Sequence, residues 1–570
     1  MTNLANITNM INRTNTIGIG IQDFMKLREN QNFYIDKTSF IKEWWENGDD
    51  VTLITRPRRF GKTMNMNMLE TFFSVEYADK GDLFEGLSIW KEEKYRNMQG
   101  TYPVISLSFA GIKESNYETA WEKICEVLRR LYIKFSFLKE SNVLEDADRI
   151  FFNQVLEPEM KESVATLALH HLSDYLQRYY DKKVIILLDE YDTPMQEAYV
   201  YGYWENLVAF TRSLFNSTFK TNPYLQRGLM TGITRVSRES IFSDLNHLNV
   251  VTTTSNEYGT SFGFTTEEVW EALEEFGISE EKEEVQKWYD GFSFGKYKGI
   301  YNPWSILNYL DKKIFNVYWA NTSANTLISN LLQSGNPDIK SEFEELLRGN
   351  SIHKIIDEQI VYDQLGQDES AIWSLLVASG YLKLENVVIY GYTECDLRLT
   401  NGEVKLMFQN MVSRWFRSRQ YEYNSFIKAL LKGDKKAMNA YINKIALETI
   451  SYFDTGSHPS QAEPERFYHG FVLGLMVDLK DRYVITSNRE SGFGRYDIVL
   501  MPKCEKEDAI IIEFKVYDAE DEKGLQDTVE SALKQIELQR YEEGIIAQGI
   551  SAERIRKYGF AFEGKRVLIG

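Results

Sequence analysis

The feature that most constrains this chain is a short apolar run, Val51-Thr-Leu-Ile-Thr55. It passes through Arg56-Pro-Arg-Arg-Phe-Gly61 directly into Lys62-Thr63 and a Met- and Leu-rich helical stretch. A strand that turns tightly into a helix N-terminus presents backbone N–H groups outward from the turn, which is the cradle a phosphate anion needs. In such a cradle Lys62 reaches the terminal phosphates and the Thr63 hydroxyl binds Mg²⁺, so Arg59, Phe60, Gly61, Lys62 and Thr63 are candidate nucleotide-binding residues. One position is off-pattern: Arg56 stands where the first glycine of G-x-x-x-x-G-K-[ST] usually does, and the loop has to turn without it. Alone, Gly-Lys-Thr would more often cap a helix than bind a ligand. The strand–loop–helix context, and a second motif downstream, favour nucleotide.

That second motif is Val184-Ile-Ile-Leu-Leu-Asp189-Glu190. A run of apolar residues ending in two carboxylates describes a buried parallel strand whose C-terminal tip opens into a ligand crevice. Asp189 is placed to hold Mg²⁺, and Glu190 to orient or deprotonate an attacking water.

Around these motifs, from about residue 50 to 255, strand candidates alternate with helical stretches. The strands are Val51–Thr55, Tyr102–Phe109, Val184–Leu188, Gly228–Ile233 and Val250–Thr254, and the helices lie near 62–74, 117–137, 162–180 and 204–220. Such alternation predicts an α/β domain with a mostly parallel sheet covered on both faces. Strand signals then fade. Thr265 and Glu268 form a capping-box pattern at the start of an amphipathic helix, and a mainly helical middle region follows. Within it, Trp373–Leu382 followed by Val387–Tyr390 could form a small winged-helix-like unit. Trp288, Tyr289 and Trp304 read as packing residues, and His170-His171 as half-core, half-surface.

With 570 residues the chain exceeds what one core supports. The expected division is a tail 1–16, an α/β domain 17–264, a helical middle 265–400 and a second α/β domain 401–570. A formal charge of −19 argues against coating nucleic acid by bulk electrostatics. Cys125, Cys395 and Cys504 are scattered without paired spacing, which supports neither a disulfide framework nor a zinc site and favours a reducing compartment. No stretch has the apolar length of a signal peptide or a membrane span, so a cytoplasmic protein with no membrane partner is expected.

The C-terminal region carries a different set of carboxylates. Gly494-Arg-Tyr-Asp497-Ile-Val-Leu500 and Ala509-Ile-Ile-Ile-Glu513-Phe-Lys515-Val516 read as two strands joined by a polar turn. Folding the hairpin about Glu505 sets Asp497 opposite Glu513, about 5 Å apart across the pair, close enough to share a divalent ion. Alternation puts Glu513 and Lys515 on one face and Ile512 and Phe514 on the other. Two acids to hold a metal, with an ammonium to orient water and offset developing charge, are what phosphodiester hydrolysis needs. Glu465, at the start of a helix opening at Pro464, could complete the metal set, and Gln535 on a downstream helix could face the same site.

Over roughly residues 17–265 the chain resembles the AAA-ATPase-like family found in many bacteria. The resemblance rests on Asp36-Lys37-Thr38, Arg56–Thr63, Leu188–Pro194, Thr231-Gly-Ile-Thr-Arg-Val-Ser237 and Phe242–Asn246. It implies a P-loop NTPase sheet that binds ATP. Arg in the first loop position looks normal for the family, Thr231 looks like a sensor of the γ-phosphate, and Arg235 could contact the same phosphate or one in a neighbouring subunit of a homo-oligomer. Over roughly 400–567 the chain looks like the PD-(D/E)XK nuclease superfamily, in the branch commonly fused to that ATPase-like domain. This implies Asp497, Glu513 and Lys515 as catalytic residues, with Mg²⁺ or Mn²⁺ held by Asp497, Glu513 and Glu465. The expectation is an ATPase coupled to a metal-dependent nuclease acting on nucleic acid, DNA in the first place. The alternative is a nucleotide-dependent signalling or scaffold ATPase whose nuclease-like domain binds nucleic acid without cutting it.

Overall fold

The computed structural model describes residues 16–570 apart from 237–241, 243–244, 321–325, 335–336, 358, 361–368, 391, 418–419, 450–475, 477–478, 480–481, 492–493, 505–506, 519–521 and 564–565. The chain forms two compact units: Met1–Ala324 with Ser351–Lys405, and Asn325–Asn350 with Leu406–Gly570.

The first unit is built on five parallel strands, β1 (Val51–Thr55), β2 (Val104–Ser108), β3 (Val184–Asp189), β4 (Leu225–Gly232) and β5 (Leu248–Val251), in the order β2-β3-β4-β1-β5. Every residue of β1 and β3 is buried, as continuous apolar runs in a doubly covered parallel sheet should be. The helices between them are α1 (Ser39–Asn47), α2 (Lys62–Phe73), α3 (Tyr117–Lys134), α4 (Ala168–Tyr180), α5 (Thr193–Tyr201) and α6 (Trp204–Phe215). On one face of the sheet α1 and α2 bury Phe40, Trp44, Leu69, Phe72 and Phe73 against Ile54, Ile185 and Leu229.

The leader motif Asp36-Lys37-Thr38 is structural. Buried Lys37 donates to both oxygens of Glu268, at 2.7 and 2.6 Å, and to Thr260 O at 2.8 Å. Asp36 accepts from Thr38 N, Thr38 Oγ1 and Ser88 N. Glu268 also completes the capping box with Thr265 that opens α7 (Thr266–Glu275), so one carboxylate both caps a helix and ties it to the leader.

Just before α7 runs the short strand β6 (Phe264–Thr265), and after it come β7 (Phe292–Phe294) and β8 (Tyr297–Tyr301), which form an antiparallel sheet with β6 in the order β6-β8-β7, and then α8 (Pro303–Lys312). Asn302 caps α8, accepting from Trp304 N and Ser305 N, with Pro303 at the first helical position, where its missing N–H costs nothing. Trp288 and Tyr289 stack with Phe315 and Tyr309 as a packed aromatic group. Later the unit adds β9 (Ile352–Ile356), α9 (Glu369–Ala378), β10 (Leu382–Ile389) and β11 (Thr393–Leu399), the strands forming an antiparallel sheet in the order β9-β11-β10.

The second unit holds a mixed sheet, β12 (Tyr483–Ser491), β13 (Gly494–Pro502), β14 (Ala509–Val516), β15 (Ile555–Glu563) and β16 (Arg566–Ile569), paired in sequence order. Only β14 and β15 run parallel, and α13 (Leu525–Leu538) makes the crossover that parallel pairing requires. Three helices, α10 (Gly402–Arg417), α11 (Gln420–Lys432) and α12 (Lys435–Thr449), precede this sheet in the chain. Ile510, Ile512 and Phe514 pack on one face with Phe426, Leu430, Met438 and Ile442 of α11 and α12. Val499, Ala509 and Ile511 pack on the other with Ile536 of α13 and with Tyr541.

Candidate functional site

In the first unit three strand ends lie side by side because β4 sits between β3 and β1. Ile54 pairs with Thr231 and Thr55 with Gly232, while Leu188 pairs with Met230. The loop after β1, Thr231 on β4 and the acids ending β3 therefore meet at the C-terminal edge of the sheet, where ligands of such sheets bind. Asp189 is the centre of the group. Thr63 Oγ1 donates to its Oδ2 at 2.7 Å, and Thr231 Oγ1 donates to its Oδ1 at 2.5 Å. Burial raises the Asp189 carboxyl above its ordinary range, against the pull of these two hydroxyls.

Lys62 is buried and donates to Arg56 O and Pro57 O, both at 2.9 Å. Burial lowers the pKa of its ammonium, partly offset by the carboxylates of Glu190, Asp189 and Asp192. Gly61, at φ 80°, takes the left-handed conformation just before α2, and Arg59, at φ 66°, does so with a side chain. Arg56 explains how the loop dispenses with a first glycine. Its guanidinium is fully buried, donating to Thr55 O (2.9 Å), Thr252 O (2.7 Å) and Glu257 O (3.2 Å) over the Phe294 ring, so it braces the base of the loop.

The other loop residues divide. Phe60 is buried edge-on against Phe292 and Phe294, which leaves its backbone as the part available to a ligand, and Arg59 lies over the Trp304 ring at 4.4 Å. Glu190, at φ 50°, accepts from Thr193 Oγ1 at 3.1 Å beside Asp189. Arg235 lines a small cleft with Thr55, Thr252, Asp357 and Ser374, and its backbone pairs with that of Gln359. Asp192 is a residue the sequence reading passed over. It is buried, and its Oδ2 accepts from Ile233 N, Thr234 N and Thr234 Oγ1 at 2.9, 2.8 and 3.0 Å, fixing the turn that follows Thr231. Its signal was its place three residues after Asp189, just ahead of α5.

In the second unit β13 and β14 pair as Ile498↔Ile512, Val499↔Ile511 and Leu500↔Ile510, the register that continues to Asp497 opposite Glu513. There the ladder hands over to a side chain: Asp497 Oδ2 accepts from Phe514 N at 2.8 Å. Glu513 is buried and accepts from Gln535 Nε2 on α13, and Lys515 follows it on the same alternation, half-buried. Tyr541, buried beyond the end of α13, joins this group without having been anticipated. Its hydroxyl is pushed up to about 12 by burial and by the nearby Glu513 and Asp497, with Gln535 hydrogen-bonded to it. Glu465 lies outside the described residues. Among the described residues no three His, Cys, Asp or Glu side chains converge as a metal set. At this site, two carboxylates and an amide supply the hard oxygen donors that suit a divalent cation.

The architecture is α/β, with a P-loop-type parallel sheet, a helical middle region and a C-terminal mixed sheet of the PD-(D/E)XK kind. Residues 18–242 match the model of the predicted AAA-ATPase family, and residues 463–570 match that of the PD-(D/E)XK nuclease superfamily. The chain thus carries an AAA-ATPase-like segment followed by a nuclease-superfamily segment. It is 27% identical over 390 residues, 68% of each chain, to an uncharacterized protein in the vnfD 5′ region of Azotobacter chroococcum mcd 1. A solved structure, the Aeropyrum pernix ORC2 protein in ADPNP–ADP complexes, aligns with TM-score 0.25 and 10% identity over 70% of this chain and 97% of that one. Among the described residues no helix is long and apolar enough to cross a membrane.

Proposed function

We propose that this chain is a cytoplasmic P-loop ATPase coupled to a metal-dependent nuclease. Residues 17–264 bind and hydrolyse ATP, 265–400 form the connecting middle region, and 401–570 hydrolyse phosphodiester bonds in nucleic acid, DNA foremost. The observation that carries the reading is the grouping of Asp497, Glu513, Lys515 and Gln535 about one end of the β13–β14 pair, in a segment that matches a nuclease superfamily.

At the ATP site, the backbone of Arg59, Phe60 and Gly61 cradles the phosphates. Lys62 exchanges its two carbonyl partners for phosphate oxygens. Thr63 and Asp189 are the residues that hold Mg²⁺; they already lie within hydrogen-bond distance, and a buried carboxylate is favoured as an anion once a cation is beside it. Thr231 reads the γ-phosphate through the carboxylate it shares with Thr63, Glu190 orients the attacking water, and Arg235 offsets charge on the phosphate.

At the nuclease site Asp497, Glu513 and Glu465 hold Mg²⁺ or Mn²⁺. The bound ion supplies Lewis-acid polarisation of the scissile phosphate and a more acidic water. Lys515 orients that water and offsets developing charge. Gln535 holds Glu513 in place, and Asp497 is held by the Phe514 amide.

The test is cleavage of a panel of DNA and RNA substrates by the purified chain with Mg²⁺, with Mn²⁺ and with chelator. Asp497→Ala and Glu513→Ala should abolish cleavage by weakening metal binding, whereas Lys515→Ala should keep metal affinity and lose turnover. Folded acid variants that cut as fast as the parent would refute the assignment, and binding without any cutting would favour a scaffold role.

A further inference from the structure

The phosphate-binding loop is gripped from one side by residues that the ATP site itself does not use. Asn302 Nδ2 donates to Arg58 O at 3.1 Å, and the next side chain but one, Trp304, carries Arg59 over its ring. Ser305, in the same first turn of α8, donates through Oγ to Glu403 Oε2 at 2.7 Å. The other oxygen of Glu403 accepts from Tyr318 N (2.7 Å), Trp319 N (2.6 Å) and Ala320 N (3.3 Å). A second route is made of rings. Phe60 of the loop packs on Phe292, Phe292 on Trp319, and Trp319 on Tyr381, with centroids 4.8, 5.5 and 5.3 Å apart. Gly380, just before Tyr381, approaches Pro57 so closely that an added Cβ would lie 2.8 Å from its ring, and Gly380 O accepts from Thr400 Oγ1.

Both routes end at residues 400–403, the start of α10. That helix begins in the first unit, and from Leu406 onward its residues belong to the second. Such a buried carboxylate is unusual. Glu403 is 1% exposed, and its partners are a hydroxyl and three backbone amides. That arrangement ties the carboxylate at once to α8 and to residues 318–320, so a shift of either is felt at Glu403.

We infer that Asn302, Ser305 and Glu403 are positioning residues that transmit the conformation of the phosphate-binding loop to the first turn of α10, so that nucleotide occupancy governs the activity of the C-terminal unit. The inference rests on the reading of the loop as a nucleotide site. A phosphate at this loop would draw Lys62 away from the carbonyls of Arg56 and Pro57 that it now holds. Asn302 senses the carbonyl of Arg58, and α8 carries any shift to Glu403.

The experiment uses the full-length chain with a non-hydrolysable ATP analogue and Mg²⁺. Calorimetry reads binding, amide hydrogen exchange reads residues 318–320 and 402–405, and cleavage is measured with and without nucleotide. In the parent, saturation should slow exchange at these amides by roughly fivefold or more, the lower end of ordinary coupling between sites. Asn302→Asp keeps a cap for α8 but removes the donor to Arg58 O. Ser305→Ala removes the hydroxyl to Glu403. Both should still bind nucleotide, and both should lose the exchange response and the dependence of cleavage on nucleotide. A merely structural role would change baseline exchange in these variants and leave the response to nucleotide intact, which overturns the inference. So would a parent that binds nucleotide with no response at 402–405, or with equal cleavage in both states. A parent that binds no nucleotide in the calorimeter would overturn the ATP-site reading itself, and this inference with it.

Discussion

Replacing Glu403 by glutamine changes one charge and almost no shape, and the consequence can be worked through from its surroundings. Burial outweighs its four hydrogen-bond donors and pushes the Glu403 carboxyl from 4.5 up to about 7. A carboxyl whose pKa is higher in the folded state than in the unfolded one binds protons more readily when folded. Its contribution is therefore most favourable below about pH 4.5, is lost as pH rises through the interval to about 7, and is flat beyond. The whole swing corresponds to about 3 kcal/mol, from roughly 1.4 kcal/mol per unit of pKa. Glu403→Gln retains a carbonyl for the three amides and turns an NH₂ toward Ser305 Oγ, and it does not titrate. Unfolding in urea, followed alongside exchange of the Trp319 amide, should show the parent losing about 3 kcal/mol relative to the variant across that interval. Other raised carboxyls, Asp189 and Asp192 among them, titrate in both proteins and cancel in the difference. Parallel pH profiles for parent and variant would refute the argument, because they would mean that Glu403 is as well solvated by its donors as by water.

Lys62→Ala should abolish ATP binding in a calorimetric titration while the chain stays folded, whereas Glu190→Gln should keep binding and lose hydrolysis, measured as phosphate release. Lys37→Ala removes the buried ammonium that donates to the half-buried Glu268 carboxylate and should destabilise the first unit by roughly 1.5–3 kcal/mol in denaturant unfolding. Lys37→Met combined with Glu268→Gln should recover most of that loss.

Where the chain's own periodicity determined the outcome, the sequence was readable. The apolar runs at 51–55 and 184–188 could be nothing but buried strands, and the acids ending the second run had to emerge at the edge of the sheet. The pairing of β13 with β14 was equally constrained, because a shift of one residue would have turned Ile510 and Ile512 out of the core they share with α11 and α12. What escaped were residues whose role comes from partners far along the chain. Arg56 looked like a missing glycine and is a brace to 252–257. Glu403 follows Thr400 at capping-box spacing, yet Asn401 caps Val404 and Glu403 turns instead to residues 305 and 318–320. Tyr541 reaches Gln535 only after α13 has ended, where no helical spacing predicts it.

Both candidate sites meet the same physical difficulty in the same way. An acid at the end of a buried strand must be satisfied when no cation is present, and a buried ion pair would do so at the expense of metal binding, since removing one partner of such a pair is costly. Neutral groups are among the donors to these acids. Asp189 takes two threonine hydroxyls, Glu513 takes the Gln535 amide, and Asp497 takes a backbone N–H. Lys62 meanwhile directs its ammonium at two carbonyls in its own loop. A hydrogen bond to a charged group contributes about 1.5–3 kcal/mol, less than a buried ion pair costs to break, so a divalent cation displaces it more readily. Thr63 need not even leave Asp189 as a competitor, because a hydroxyl that donates to the carboxylate can turn its lone pair to the same cation. The neutral donors thus hold the acids in register through bonds that a cation can displace.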